Sequence, residues 1–440
     1  MEVEIEASEM EAEEQQPIPS STKKFGLKDY IQTNYGDDYV FQIVPRDDWT
    51  SMAVSLSTNA VKLYSPMTGQ YFGECKGHSS TINHISFSGG SNQHVLHACS
   101  SDGTIRAWDT RTFQQVSCVT AGSSQEVFSF SFGGSDDNLL AAGCQSQVYY
   151  VYPGFHLIIC SKVIVFCPTL DQASVSFGIV FHECLLLLVY QQDRYFSGIG
   201  GTRSKLHAWR NLMWMMLLRL VMVHFVPDHQ NKLASASADG LICIFDTNGD
   251  INDDDHLESV INVGTSIAKV GVFGDSYEKL WCLTNIETLS VWDWKEGTNE
   301  ANFEEARSLA SESWTLDHVD YFVDCHCSGG DNLWVIGGTN AGSIGYFPVK
   351  YKGTAVIGPP EAVLGGGHMG VVRSILPMPS MQSGTAQSRG LFGWTGGEDG
   401  RLCCWKGDDS PVISRSWISS TSTLAKKVPR NRKNSRRCPY

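Results

Sequence analysis

Four clusters along this chain bring together side chains whose types could do chemistry. Asp324-Cys325-His326-Cys327 holds carboxylate, thiol and imidazole groups, the donor set of a transition-metal site. In an extended strand, however, successive residues point to opposite faces, and no second ligand pair follows at the spacing of a zinc site. Asp253-Asp254-Asp255 could draw a cation, yet it lacks the glycine and the distal glutamate of a calcium loop and reads more simply as an acidic hairpin tip. Gly365-Gly366-Gly367-His368 has the flexibility of a phosphate-cradling loop without the helix pattern that would have to follow it. The fourth cluster is cationic. Lys426, Lys427, Arg430, Arg432, Lys433, Arg436 and Arg437 crowd the last fifteen residues, with the composition of a nuclear import signal or a nucleic-acid-contacting arm, a solvated tail being the plain alternative. No HExxH and no serine-nucleophile motif occurs in the sequence. No catalytic residue, cofactor or metal is therefore expected.

The elements that would position such groups follow from composition and repetition. A chain of 440 residues with 42% hydrophobic content can bury a large core, and Gly at 42 residues with Trp at 12 suits many short strands joined by tight turns. The net charge of −14 is uneven: Glu2, Glu4, Glu6, Glu9, Glu11, Glu13 and Glu14 crowd the N-terminus, opposite in sign to the other end. Blocks of like charge repel themselves and are expected to be disordered. Of the cysteines, Cys99, Cys144, Cys243, Cys282, Cys403 and Cys404 lie in apolar runs, where a free thiol behaves as a small hydrophobe. No secretory signal precedes them, so reduced thiols in nucleus or cytoplasm are expected.

A six-residue spacing between an acidic turn and an aromatic recurs along the chain. Asp102-Gly103 precedes Trp108-Asp109, Asp239-Gly240 precedes Phe245-Asp246, and Asp399-Gly400 precedes Trp405. Weaker copies align on Tyr64, Val151, Trp292 and Phe347, giving seven anchors. The best copy reads as four strands, Thr81 to Phe87, His94 to Cys99, Thr104 to Trp108 and Gln114 to Val119, a unit within the ~40 to 45 residues of a propeller blade.

On these residues the chain resembles the WD40 repeat family, and the Gly-Gly-Glu-Asp-Gly-Arg-Leu-Cys-Cys-Trp run over 396–405 makes it similar to the WD repeat-containing protein 89 group. The resemblance implies an all-β, seven-bladed WD40 β-propeller over 36–410, leaving outside it the acidic tail over 1–35 and the basic tail over 411–440 that their charge makes disordered by expectation. It also implies a buried hydrogen-bonded set in each blade: His78, Ser100, Asp102 and Trp108 in the best copy, Ser237 and Asp239 in another, and His368, Asp399 and Trp405 in the last, where Gly397 stands in place of the serine. Ring closure then needs the chain ends joined, and residues 38–44 are the expected outer strand of the last blade.

One interval breaks the repeat. Val151 and Phe245 lie 94 residues apart, twice the usual spacing, with no Asp-Gly turn ahead of the Asp239-Gly240 that belongs to Phe245 itself. A membrane span needs roughly 20 uninterrupted apolar residues, and Lys162, Asp171, Glu183 and Arg194 interrupt this stretch. An eighth blade would fit the length but not the turn chemistry. The third reading is aberrant sequence over 152–222 from a retained intron or a shifted frame. Met213-Trp214-Met215-Met216 fixes its codons, and one base earlier they would read Tyr, His, Asn or Asp followed by Val-Asp-Asp; the histidine version would supply a blade-opening histidine.

The expected function is a non-catalytic scaffold or adaptor presenting a propeller face to a protein or peptide partner, with no small-molecule substrate and no membrane. A nuclear subunit of a ribonucleoprotein or chromatin-associated assembly is the alternative, and a propeller enzyme the third. Nucleic acid is expected only through the C-terminal tail, because the acidic body repels phosphate.

Overall fold

The structure, a computed structural model, describes residues 23–32, 38–89, 92–121, 126–133, 139–144, 151–152, 155–156, 163–167, 176–180, 220–248, 257–315, 317–327, 330–378 and 391–407. Alternation of apolar and polar residues between tight turns makes these segments strands, as the sequence suggests. The first sheet comprises Val40–Pro45, Met52–Leu56, Val61–Tyr64 and Tyr71–Cys75. The second comprises Ile82–Phe87, Val95–Ser100, Thr104–Asp109 and Gln114–Thr120, each within a residue of the expected bounds. Val127–Gly133, Leu139–Cys144, Val163–Cys167 and Ser176–Val180 form the third. The fourth is Leu220–Val226, His229–Ser237, Leu241–Asp246 and Leu257–Asn262, and the fifth is Ile267–Phe273, Lys279–Thr284, Leu289–Asp293 and Thr298–Phe303. All are antiparallel in chain order. The only helix among the described residues, Ala306–Ser313, buries Ala306 and Ala310 in the cluster that joins Trp314, Phe347 and Tyr351.

The sixth sheet corrects the expected blade count. Tyr321–Cys327, Leu333–Gly338, Ile344–Lys350 and Ala362–Leu364, with the short Val356–Ile357, are fused to Val372–Pro377, Leu391–Gly397, Arg401–Gly407 and Lys23–Gln32 in one nine-stranded sheet. The result is six blade-like sheets, not seven, beside a two-stranded ribbon of Val151–Tyr152 and Phe155–His156. The fusing element is Lys23–Gln32, which runs antiparallel to Arg401–Gly407 from Phe25 to Gln32 and parallel to Ala362–Leu364 at its start.

The same strand overturns two further expectations. Ring closure is made by Lys23–Gln32, inside the region expected to be an acidic disordered tail; the segment 38–44 instead contributes the innermost strand of the first sheet, paired with Met52–Leu56. Period-two alternation identifies a strand without identifying its partner, which explains the misplacement. Val151 is likewise not a third-strand anchor: Val163–Cys167 occupies that place against Leu139–Cys144. Much of 152–222, and all of 1–22 and 408–440, lies outside the described residues.

Packing joins the sheets face to face. Trp108 of the second sheet lies with Ala53, Val61 and Leu63 of the first, and Trp394 with Val40 and Val54 across the closure. Among the described residues the innermost strands have no strand neighbour on one edge, and a buried unpaired N–H is costly. Side chains from the adjoining strand set satisfy several of them: Ile43 N–H donates to Ser374 Oγ (3.0 Å), Ile85 N–H to Gln42 Oε1 (2.9 Å), Val223 N–H to Ser129 Oγ (2.8 Å) and, between the two sets fused in the sixth sheet, Val372 N–H to the Tyr321 hydroxyl (2.7 Å).

Candidate functional site

Each candidate network begins at a tight turn between second and third strands. In the three Asp-Gly turns the glycines are left-handed (Gly103 φ 80°, Gly240 φ 87°, Gly400 φ 70°), a conformation that costs other residues a Cβ clash. Each aspartate accepts the N–H two residues on: Thr104 to Asp102 (3.0 Å), Leu241 to Asp239 (3.0 Å), Arg401 to Asp399 (3.2 Å).

The fullest network lies in the sixth sheet. Asp399 accepts from His368 Nδ1 (3.0 Å) and from the Met369 N–H (2.9 Å). His368 Nε2 meets Thr395 Oγ1 at 2.7 Å, and Trp405 Nε1–H donates to the same oxygen at 2.7 Å. The carboxylate fixes a proton on Nδ1, so Nε2 accepts from the Thr395 hydroxyl, and the bonds run in one sense from Trp405 to Asp399. Burial pushes the Asp399 carboxyl up, but bonds from His368, Met369 and Arg401 outweigh it and leave its pKa lowered. Gly397 is thus no substitute for a missing serine. The hydroxyl is Thr395, two residues earlier on the same face of the strand, a residue the sequence reading passed over.

The second sheet is a variant of this arrangement. His78 Nδ1 meets Asp102 Oδ2 at 2.9 Å, but its Nε2 faces the Ala98 carbonyl at 3.2 Å, because Ala98 occupies the place of Thr395, ten residues before the anchor. Trp108 Nε1–H turns to the Lys76 carbonyl instead (3.2 Å), with its ring edge-on to His78. Ser100, expected in the network, bonds the Ser80 carbonyl (3.0 Å) and the Asp102 N–H (3.1 Å), bracing the turn rather than the histidine. Burial lowers the His78 pKa against the pull of Asp102. For Asp102 burial raises, but bonds from Thr104, Ser79 and His78 prevail and hold the pKa at about 2.

In the fourth sheet Ser237 Oγ accepts the Asp239 N–H at 3.4 Å, again a turn brace. Ser235 holds the position of Thr395, ten residues before Phe245, and its buried hydroxyl oxygen has no hydrogen-bond partner among the described residues. Phenylalanine has no N–H to give it. These networks rigidify loops; their histidines and carboxylates are committed to one another.

Other candidates resolve differently. Asp324 pairs with Lys269 (3.3 Å), and no group of three or more His, Cys, Asp or Glu among the described residues is placed to hold a metal. The Gly365–His368 loop leads into the strand Val372–Pro377 rather than a helix. Asp253–Asp255 and the basic cluster from Lys426 to Arg437 lie outside the described residues.

The network loops share one rim with features that sequence reasoning did not identify. Ile82 pairs with Ser100 and Cys99 with Ile105, so the loop before a first strand and the turn between second and third strands lie at the same end of a sheet. At that end large apolar side chains stand exposed: Met369 (71%), one residue after His368; Ile286 (65%), in the fifth sheet's turn; and Tyr39 (43%), before Val40. Beside Ile286, Glu287 is left-handed (φ 62°) and accepts the Phe322 N–H across the sheet boundary (2.7 Å), with burial raising its pKa.

Comparison with known proteins finds a family model and several relatives, of which two are described. Residues 69–109 match the family model described as WD domain, G-beta repeat. The chain is 55% identical over 448 residues to WD repeat-containing protein GTS1 of Arabidopsis thaliana, spanning 100% of this chain and 98% of that protein. It is 26% identical over 312 residues to WD repeat-containing protein 89 homolog of Dictyostelium discoideum, spanning 71% of this chain and 70% of that protein.

Proposed function

Because the chain belongs to the WD-repeat family, whose propellers generally serve as platforms for protein interactions, we propose that it is a non-catalytic scaffold that docks a protein or peptide on its loop rim. The observation that carries this reading is the exposure of Met369, Ile286 and Tyr39 on one rim. Lone exposed apolar residues are ordinary, but large ones held on rigid loops at one end of the ring supply anchors whose ordering cost is already met by the fold. Met369 is the clearest case, since its N–H is tied to Asp399, itself held by His368.

The test is affinity purification of the full chain beside the double variant Met369→Asp and Ile286→Asp. A stoichiometric partner held by the parent and released by the variant, with unchanged thermal unfolding, is the expected result. A partner that ignores the rim substitutions refutes the assignment of the docking face. Purified protein with measurable turnover on a substrate refutes the non-catalytic reading.

A further inference from the structure

The outermost strand of the second sheet differs from its counterparts. Gln114–Thr120 reads Gln-Gln-Val-Ser-Cys-Val-Thr, and six of its seven side chains are exposed. It carries no charge. The outer strands Tyr71–Cys75, Leu257–Asn262 and Thr298–Phe303 each hold a glutamate, and Lys23–Gln32 holds three lysines and an aspartate. Ser176–Val180 is also uncharged, but it is shorter and has Gly178 at its centre, which weakens a strand. Charged residues on an edge are the usual protection against a further strand, and Gln114–Thr120 lacks them.

The free edge has a definite polarity. The Ala121 N–H donates to the Gly103 carbonyl (2.9 Å), and Ile105 pairs with Val119 and Ala107 with Ser117. Alternation along an antiparallel ladder therefore turns the main-chain groups of Val119 and Ser117 inward and those of Cys118 and Thr120 outward. The bulge shared with other outer strands falls at Val116, leaving 117–120 regular. Two N–H and two C=O groups thus face solvent in strand register. Only another extended backbone can bond such a row in sequence.

We propose that Gln114–Thr120 is a docking edge that accepts an extended segment of a partner protein as a fifth, antiparallel strand, distinct from the loop rim. The occupant is an uncharged, β-branched stretch flanked by lysine or arginine. The chain's net charge of −14 attracts basic flanks and repels a second, equally acidic copy of itself. A lysine or arginine within the docked stretch would meet Arg106, which stands in register with Cys118 and donates to Gln115 Oε1 (2.8 Å), so the cations belong on the flanks.

The probe is a fluorescein-labelled peptide of seven alternating valines and threonines with a lysine at each end, measured by anisotropy against the full-length chain. Its twin carries proline at the central position. The expected result is saturable binding weakened at least tenfold both in the twin and by Cys118→Pro, which deletes an outward N–H without touching the inward ladder. Tryptophan fluorescence and the unfolding midpoint verify that Cys118→Pro is folded, and Cys118→Lys, which restores a charge on the edge, supplies a second variant with the same expected loss. In a cysteine scan of the peptide, disulfide trapping by Cys118 peaks at one position and falls on either side. Absence of binding, equal binding by the twin and both variants, or trapping that is uniform along the peptide overturns the proposal. So does a parent dimer in sedimentation velocity that Cys118→Pro converts to monomer, because a second copy would then be the occupant.

Discussion

Replacing Thr395 by valine tests the buried network most directly. The side chain keeps nearly its volume and loses one oxygen. That oxygen, in a fully buried residue, bonds both His368 Nε2 and Trp405 Nε1–H at 2.7 Å. Removing it strands a buried acceptor and a buried donor at once, each costing about 1 to 3 kcal/mol, so a loss of about 3 kcal/mol is expected. Against a typical total of ~5 to 15 kcal/mol this is a large fraction. Ser235→Ala is the matched control. It deletes a hydroxyl at the equivalent position that bonds nothing among the described residues, and removing an unsatisfied polar group is neutral or stabilising by up to about 1 kcal/mol. Equilibrium urea unfolding followed by tryptophan fluorescence and circular dichroism, with refolding verified, measures both. A Thr395→Val loss under about 1 kcal/mol, or an equal loss in Ser235→Ala, refutes the assignment of these two positions.

Three further outcomes follow from the same geometry. Ala98→Ser should stabilise by about 1 kcal/mol in urea unfolding, because it offers His78 and Trp108 the hydroxyl that Thr395 supplies in the sixth sheet. Burial holds His97 at about 4, and burial with the nearby His224 holds His84 at about 4, against an ordinary value near 6.5. Their contribution is complete above pH 6.5 and is lost as pH falls toward 4, by at most about 1.4 kcal/mol per unit for each ring, so denaturation midpoints should drop between pH 7 and 5, and less steeply in His84→Gln. Leu27→Asp places a carboxylate in the cluster that holds Trp405 and Cys403, and should lower the thermal midpoint and expose the closure to limited proteolysis; an unchanged digestion pattern would count against Lys23–Gln32 as the closing strand.

What could be read from residues alone was local. The turn aspartates, the histidines His78 and His368 and the anchors Trp108 and Trp405 could be picked out as candidates, because an Asp-Gly turn fixes the register of the strand that follows. The hydroxyl was misread because Ser100 and Ser237 adjoin those turns and draw attention, while the position that faces the histidine lies two residues earlier on the same face, at Ala98, Ser235 and Thr395. The common offset of ten residues from the anchor was available as a signal. Pairing was not legible. Nothing in the alternation of 38–44 says whether it lies innermost in the first sheet or outermost in the last, and the charged strand Lys23–Gln32 is hidden by its proximity to an acidic run. The fusion of two strand sets by that segment, and hence the sheet count, depends on a contact between opposite ends of the chain, which no local pattern encodes.

That contact sets a timetable for synthesis. Leu27 pairs with Trp405, so among the described residues the first strand to be synthesised belongs beside the last. At roughly 5 to 20 residues per second, the intervening stretch of about 380 residues takes some 20 to 75 s to make, and through all of it Lys23–Gln32 waits without its antiparallel partner. The cell must keep a strand with Phe25, Leu27, Tyr30 and Ile31 from pairing elsewhere for that time, and a pause or truncation near the end of translation would release an open ring with both of its closing edges bare.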